Sequence, residues 1–225
     1  MKLSKLSSID DLKNLIFDIG FIPLFRNQIP GFSVEELTRN HAWWTGDPET
    51  DPWDWRRQLS ANKNIAYGKF FNGKSGFISR KWLPYFVAMR RDGYDFESLY
   101  VKGKAPGKCR KIMTLFEKYP ELPSYEIKKL AGFRQGGEKG FEGALVWLQM
   151  MTYITVVKLE RKRNKFGKFY GWHVSNYSTT EEKFGDKPIH SAYLTGKENA
   201  KHKIITRLLT FNPQLSVSTA ESFIK

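Results

Sequence analysis

Residues 110–177 constrain the fold of this chain most strongly. Apolar side chains recur at Ile112, Leu115, Phe116 and Tyr119, a helical spacing that Pro120 stops. Ser124 is placed to cap a short helix over 125–131, with Gly132 after it. The segment Phe133-Arg134-Gln135-Gly136-Gly137 reads as a loop. A longer helix over 139–152 follows, with Phe141, Leu145, Leu148 and Met151 on one face. Residues 153–163 alternate as a strand, 164–168 turn, and 169–177 return as a second strand. Three helices followed by a two-stranded hairpin is the order of a winged helix-turn-helix. The expected fold class is α+β, mostly α, with a winged helix-turn-helix whose wing is the β-hairpin.

The flanks fit a helical frame around that block. Ser8, with Asp11 three residues on, opens a helix over 9–19 that Gly20 ends. Ser33 and Glu36 form a second capping box, with Phe32 and Leu37 as its hydrophobic staple. Residues 41–55 are acidic, rich in Trp and broken by Pro48 and Pro52, a loop around a short helical turn at 53–59. Residues 65–78 flank Asn72-Gly73, the strongest short hairpin signal. A helix from Ser79 to about Arg91 carries the awkward Pro84, and 94–107 is a connecting segment. Helices over 198–211 and 219–224 close the chain, the second capped by Ser218 with Glu221. The expected partition is an N-terminal helical region with a hairpin (1–107, a candidate degenerate winged helix), a winged-helix domain (108–180), and a helical tail packed on the core (181–225).

Charge then points to a partner. The chain carries 37 Lys+Arg against 23 Asp+Glu, a net +14. The surplus is uneven: residues 61–120 hold 13 basic and 4 acidic side chains, residues 121–178 hold 10 and 5, and the two ends nearly cancel. Such clustering favours a polyanion, most commonly nucleic acid, although a solvated basic face is the simpler alternative. Within the second strand pair, Lys158, Arg161, Lys162, Arg163, Lys165 and Lys168 crowd eleven residues with one acid, Glu160. They would neutralise phosphates of duplex DNA. Lysines also block edge pairing, so a charged edge hairpin is the bland reading. Arg90 and Arg91, with Arg80 and Lys81, would extend the same face. On the third helix, Lys139 stands at the start and Gln149 could bond a base edge. Gly136-Gly137 could hold a phosphate on backbone amides or simply make a tight turn.

Catalytic signals are poor. His41, His173, His190 and His202 lack ligand spacing, and the lone Cys109 excludes an internal disulfide. No metal and no cofactor is expected, and no nucleotide or nucleophile motif occurs. Asp47, Glu49, Asp51 and Asp54 could house a general acid or base, but a solvated loop explains them more simply. Trp43, Trp44, Trp53 and Trp55 offer a different reading, a surface for a protein partner. No apolar run approaches the roughly 18 residues of a membrane helix, and no signal-peptide stretch follows Met1, so a cytosolic protein is expected.

A family resemblance joins these pieces. Leu122-Pro123-Ser124-Tyr125-Glu126-Ile127-Lys128-Lys129-Leu130, then residues 138–153, then the hairpin to Ser178-Thr179, resemble the winged-helix domain of AlkZ-type bacterial DNA glycosylases. Residues 65–91, including Ala66-Tyr67-Gly68-Lys69 and Trp82-Leu83-Pro84-Tyr85-Phe86, are similar to the family stretch before that domain. Small AlkZ-related proteins look closer still. The resemblance implies tandem winged helices and DNA as partner. The glycosylases, which excise alkylated or crosslinked bases, carry a Gln, an apolar residue, then Gln or Asp after the first helix, and the polar pair positions the attacking water. Aligned on Gly20, those positions are Pro23 and Phe25 here, neither able to hold a water. Gln28 lies nearby at the wrong spacing. A DNA-binding protein without glycosylase activity is the expectation; a glycosylase using other residues is the rival.

Overall fold

A computed structural model describes residues 3–133 and 136–224. Helix α1 (Ile9–Ile19) starts at Ser8, whose hydroxyl accepts from the Asp11 N–H while the Asp11 carboxylate accepts from the Ser8 N–H. Gly20 ends it at φ 100°. A Cβ there would lie 2.3 Å from the Trp82 ring, so close packing and backbone both require glycine. Strand β1 (Phe21–Pro23), α2 (Val34–Leu37, capped by Ser33) and α3 (Pro52–Ser60, capped by Asp51) follow. Strands β2 (Ile65–Phe71) and β3 (Lys74–Ser79) make the expected hairpin. Asn72 and Gly73 both take positive φ, 49° and 74°, as a type I′ turn demands. Helix α4 (Leu83–Arg91) begins at Leu83 rather than Ser79 because Pro84 fits only its first turn.

The connecting segment holds a helix, α5 (Phe96–Val101), whose Ser98 amide donates to the Asp95 carboxylate. Then come α6 (Gly107–Met113) with a 3₁₀ turn behind it, β4 (Leu122–Pro123), α7 (Ser124–Leu130), α8 (Phe141–Met150), β5 (Ile154–Arg163) and β6 (Phe169–Thr179). Ser124 is the first residue of α7, and its side chain caps nothing. Arg134 and Gln135 of the expected loop lie outside the described residues. The C-terminal part adds α9 (Thr180–Phe184) and α10 (Asp186–Thr195), which the sequence reading leaves out, before α11 (Lys197–Phe211) and α12 (Val217–Ile224). The hydroxyl that accepts from the Thr219 amide at the start of α12 belongs to Ser216, not Ser218.

The strands form one antiparallel sheet in the order β1-β3-β2-β5-β6-β4. The fold is α+β, about half helical. Hairpins β2–β3 and β5–β6 therefore share a sheet, joined where Tyr67 faces Val156. Lys183 on α9 reinforces that seam: its Nζ donates to the carbonyls of Ser60, Ile65 and Val156 at 2.7, 2.9 and 3.2 Å. Apolar side chains from α1 through α12 pack into one buried cluster against the sheet.

Candidate nucleic-acid interface

The β5–β6 hairpin changes character along its length. Its base is core: Ile154, Val156, Leu159 and Tyr177 are buried. Past Glu160 and Val174 it projects into solvent. There Arg161 faces His173, Lys162 faces Tyr170 and Arg163 faces Phe169. Between the first two pairs β6 carries Gly171 and Trp172 without partners in β5, a bulge. Gly171, at φ 71°, supplies the left-handed step, and Trp172 is 87% exposed. The Asn164 side chain closes the tip by accepting from the Phe166 and Lys168 amides at 2.9 and 3.0 Å.

The cations divide. Lys158 lies 3.2 Å from both Glu121 and Glu160, so its charge is largely answered within the protein. Arg161, Arg163, Lys165 and Lys168 are exposed, and Lys162 reaches over the Tyr125 ring at 4.7 Å. No acidic residue occurs between Glu160 and Glu181. Across the hairpin face toward α3 stands Arg57, held by two hydrogen bonds to Asp54, which the arginine keeps below the usual carboxylate range. His173 is drawn below its ordinary value by burial, then by Arg161 and Arg57, with Asp54 opposing.

Three expected site residues lie elsewhere. Gln149 is 1% exposed. Its Oε1 accepts from the Lys69 amide at 3.0 Å and its Nε2 donates to the Leu145 carbonyl at 2.9 Å. Both ends of its amide are thus engaged inside the protein, because α8 turns that face onto β2. Arg91 is buried too, clamping the Glu181 carboxylate and the Thr152 carbonyl and lying 4.4 Å from the Tyr153 ring centroid. Its position on the Leu83–Val87 stripe of α4 is the sequence signal for that burial. The Arg90 guanidinium is buried as well, donating to the Phe70 carbonyl against the Phe86 ring. Lys139 is exposed beside α8, its carbonyl accepting from Lys108 Nζ at 2.8 Å. Gly136-Gly137 stands outside the first turn of α8, so its amides are not helix N-terminal donors. What the sequence reading misses are the aromatic rings on the hairpin, Phe166, Phe169, Tyr170 and Trp172, because strict alternation would have sent every second one inward.

A family model of AlkZ-related proteins matches residues 6–225. The chain belongs to the AlkZ-related family. No curated protein and no solved structure matches it.

In this AlkZ-related protein, Pro23 is buried in β1 opposite Gly76, and Phe25 packs between Trp43 and Trp53 at 5.9 and 6.3 Å. Gln28 is exposed at the rim of a cavity of about 200 Å³, also lined by Pro23, Asn72 and Lys74. Asp51 is not a solvated acid. It is buried and accepts from the amides of Trp44, Gly46 and Trp53 at 3.1, 3.0 and 2.8 Å. Trp43 and Trp55 are core, and Trp53 lies under Arg56, which leaves Trp44 as the exposed ring of that cluster. Among the described residues, no group of three or more His, Cys, Asp or Glu could hold a metal, and no helix is long and apolar enough to cross a membrane.

Proposed function

We propose that this AlkZ-related protein binds DNA through the outer half of β5–β6, acting as the wing of a winged helix-turn-helix over 108–180, without base excision. The observation that carries the reading is the acid-free tip, where Arg161, Lys162, Arg163, Lys165 and Lys168 project beyond the core. The order α6–β4–α7–α8–β5–β6, with β4 paired to β6, supports the winged-helix reading. With Gln149 in the core, α8 contributes no base-edge contact from that position, and binding is dominated by phosphates, hence tolerant of sequence. A cytosolic location accords with a DNA partner. Pro23 and Phe25 support the non-catalytic half, since neither side chain can hold a water or take its proton.

The test is duplex binding by fluorescence anisotropy across a salt series. Changing Arg161, Lys162 and Arg163 together to alanine should weaken affinity and reduce the slope of log K against log salt by about 0.9 for each lost phosphate contact. Unchanged affinity at low salt overturns the wing. The rival, an active glycosylase, has one observation in its favour: Gln28 at the rim of the small cavity beside Pro23. Abasic-site formation on alkylated duplex that disappears in Gln28→Ala would establish it; no excision is expected.

A further inference from the structure

Four aromatic rings stand in solvent on the outer half of β5–β6. Phe166 is 75% exposed, Trp172 87%, Phe169 54% and Tyr170 51%. A ring held in water forgoes the stabilisation that burial gives it. Isolated surface aromatics need no explanation, but these four fall within seven residues of one hairpin, with Phe169 and Tyr170 alternating to its two faces. The arrangement is built rather than frayed. Phe169 and Tyr170 occupy paired positions in the ladder, and the Gly171-Trp172 bulge re-aims the tryptophan outward. Cations are set against the rings: the Arg163 guanidinium lies 4.1 Å from the Phe169 centroid, and Lys165 Nζ lies 5.0 Å from that of Phe166.

We propose that this tip is a stacking platform for unpaired bases, and that the protein prefers single-stranded or locally unstacked DNA to intact duplex. The proposal rests on the DNA-binding reading above and names its substrate class. In paired duplex the base faces are covered by their neighbours, and only groove edges and phosphates are offered. Cations alone would suit that surface. Rings interleaved with cations match a strand whose bases are free, where each base supplies a flat face and each link a negative charge. The core position of Gln149 agrees with this, since stacking needs no reader of base edges. A bilayer surface also attracts rings and cations. Flanking lysines can snorkel beside an inserted ring, so the vesicle arm of the experiment below separates the two surfaces.

The experiment uses the whole chain and three probes: oligo(dT) of about 15 nucleotides, the same strand in a duplex, and a strand of equal length with abasic sugars. Oligo(dT) should bind about tenfold or more tighter than either of the others. It should also quench tryptophan emission. The double variant Trp172→Ala with Phe166→Ala should lose that preference yet keep duplex and abasic-strand binding, while Trp172→Phe should retain it. Both side chains are exposed, so circular dichroism should be unchanged. Equal affinity for oligo(dT) and the abasic strand, or a preference that survives the double variant, overturns the stacking platform and leaves DNA binding standing. No binding to any strand overturns both readings. Binding to phosphatidylserine vesicles with a blue shift of tryptophan emission, and none to oligo(dT), assigns the tip to a bilayer instead.

Discussion

Hairpin β2–β3 is buried along most of both strands, whereas β5–β6 leaves its outer half in water. Both turns use a left-handed glycine, Gly73 and Gly167, and both hairpins lie in one sheet. The surroundings of the turns differ. The first is covered: the Asn72 side chain donates to the Ser222 carbonyl of α12, and Val146 of α8 comes within 3.6 Å of where a Gly73 Cβ would be. The second is closed by its own Asn164, and residues 163–172 around it are exposed. One architecture thus yields a core and a projecting arm, and what separates them is which elements fold back over the strands. A hairpin covered on both faces is fixed by packing, and its residues are set by shape. An uncovered one is free to carry whatever chemistry a partner requires.

The largest effect that could break this contrast belongs to the covered hairpin. Phe77 is fully buried, and Phe77→Ala should destabilise the protein by about 3–5 kcal/mol, read as a fall in the urea midpoint at constant slope. A loss below about 1 kcal/mol would mean that β2–β3 is not core. The triple change at Arg161, Lys162 and Arg163 should move stability by no more than about 0.5 kcal/mol while weakening DNA binding. A large stability loss there would erase the distinction between the two hairpins. The smallest effect sharpens it. His173 sits where the arm meets the core, its pKa depressed by burial and by Arg161. Its contribution to stability is therefore complete above the ordinary histidine value and is lost as pH falls through the lower folded value. Arg161→Ala should raise that pKa, seen by titrating the ring protons, and narrow the acid window in which stability is lost.

Features set within a few residues were legible in the sequence. The capping box of Ser8 and Asp11, the stop at Gly20 and the type I′ turn at Asn72-Gly73 each depend on neighbours alone. The basic run of the hairpin was equally plain. The misread site residues depend on contacts far along the chain. Gln149 bonds the backbone of Lys69, and Arg91 pairs with Glu181. No local pattern distinguishes a glutamine that meets a backbone eighty residues away from one that meets a base. The sheet seam at Tyr67 and Val156 is hidden for the same reason. Helix α9 was a readable miss: Thr179 caps the Glu182 amide, a local signal that the preceding strand pattern obscured.

The Lys183 ammonium has a consequence for the order in which the molecule can be made. Its three carbonyl partners, at Ser60, Ile65 and Val156, all leave the ribosome before it does. A nascent chain can close β2–β3 early, because that pairing is local, and can pair Tyr67 with Val156 once β5 has emerged, but the clamp over that seam awaits Lys183. Translation thus supplies both hairpins first and their shared fastening afterwards.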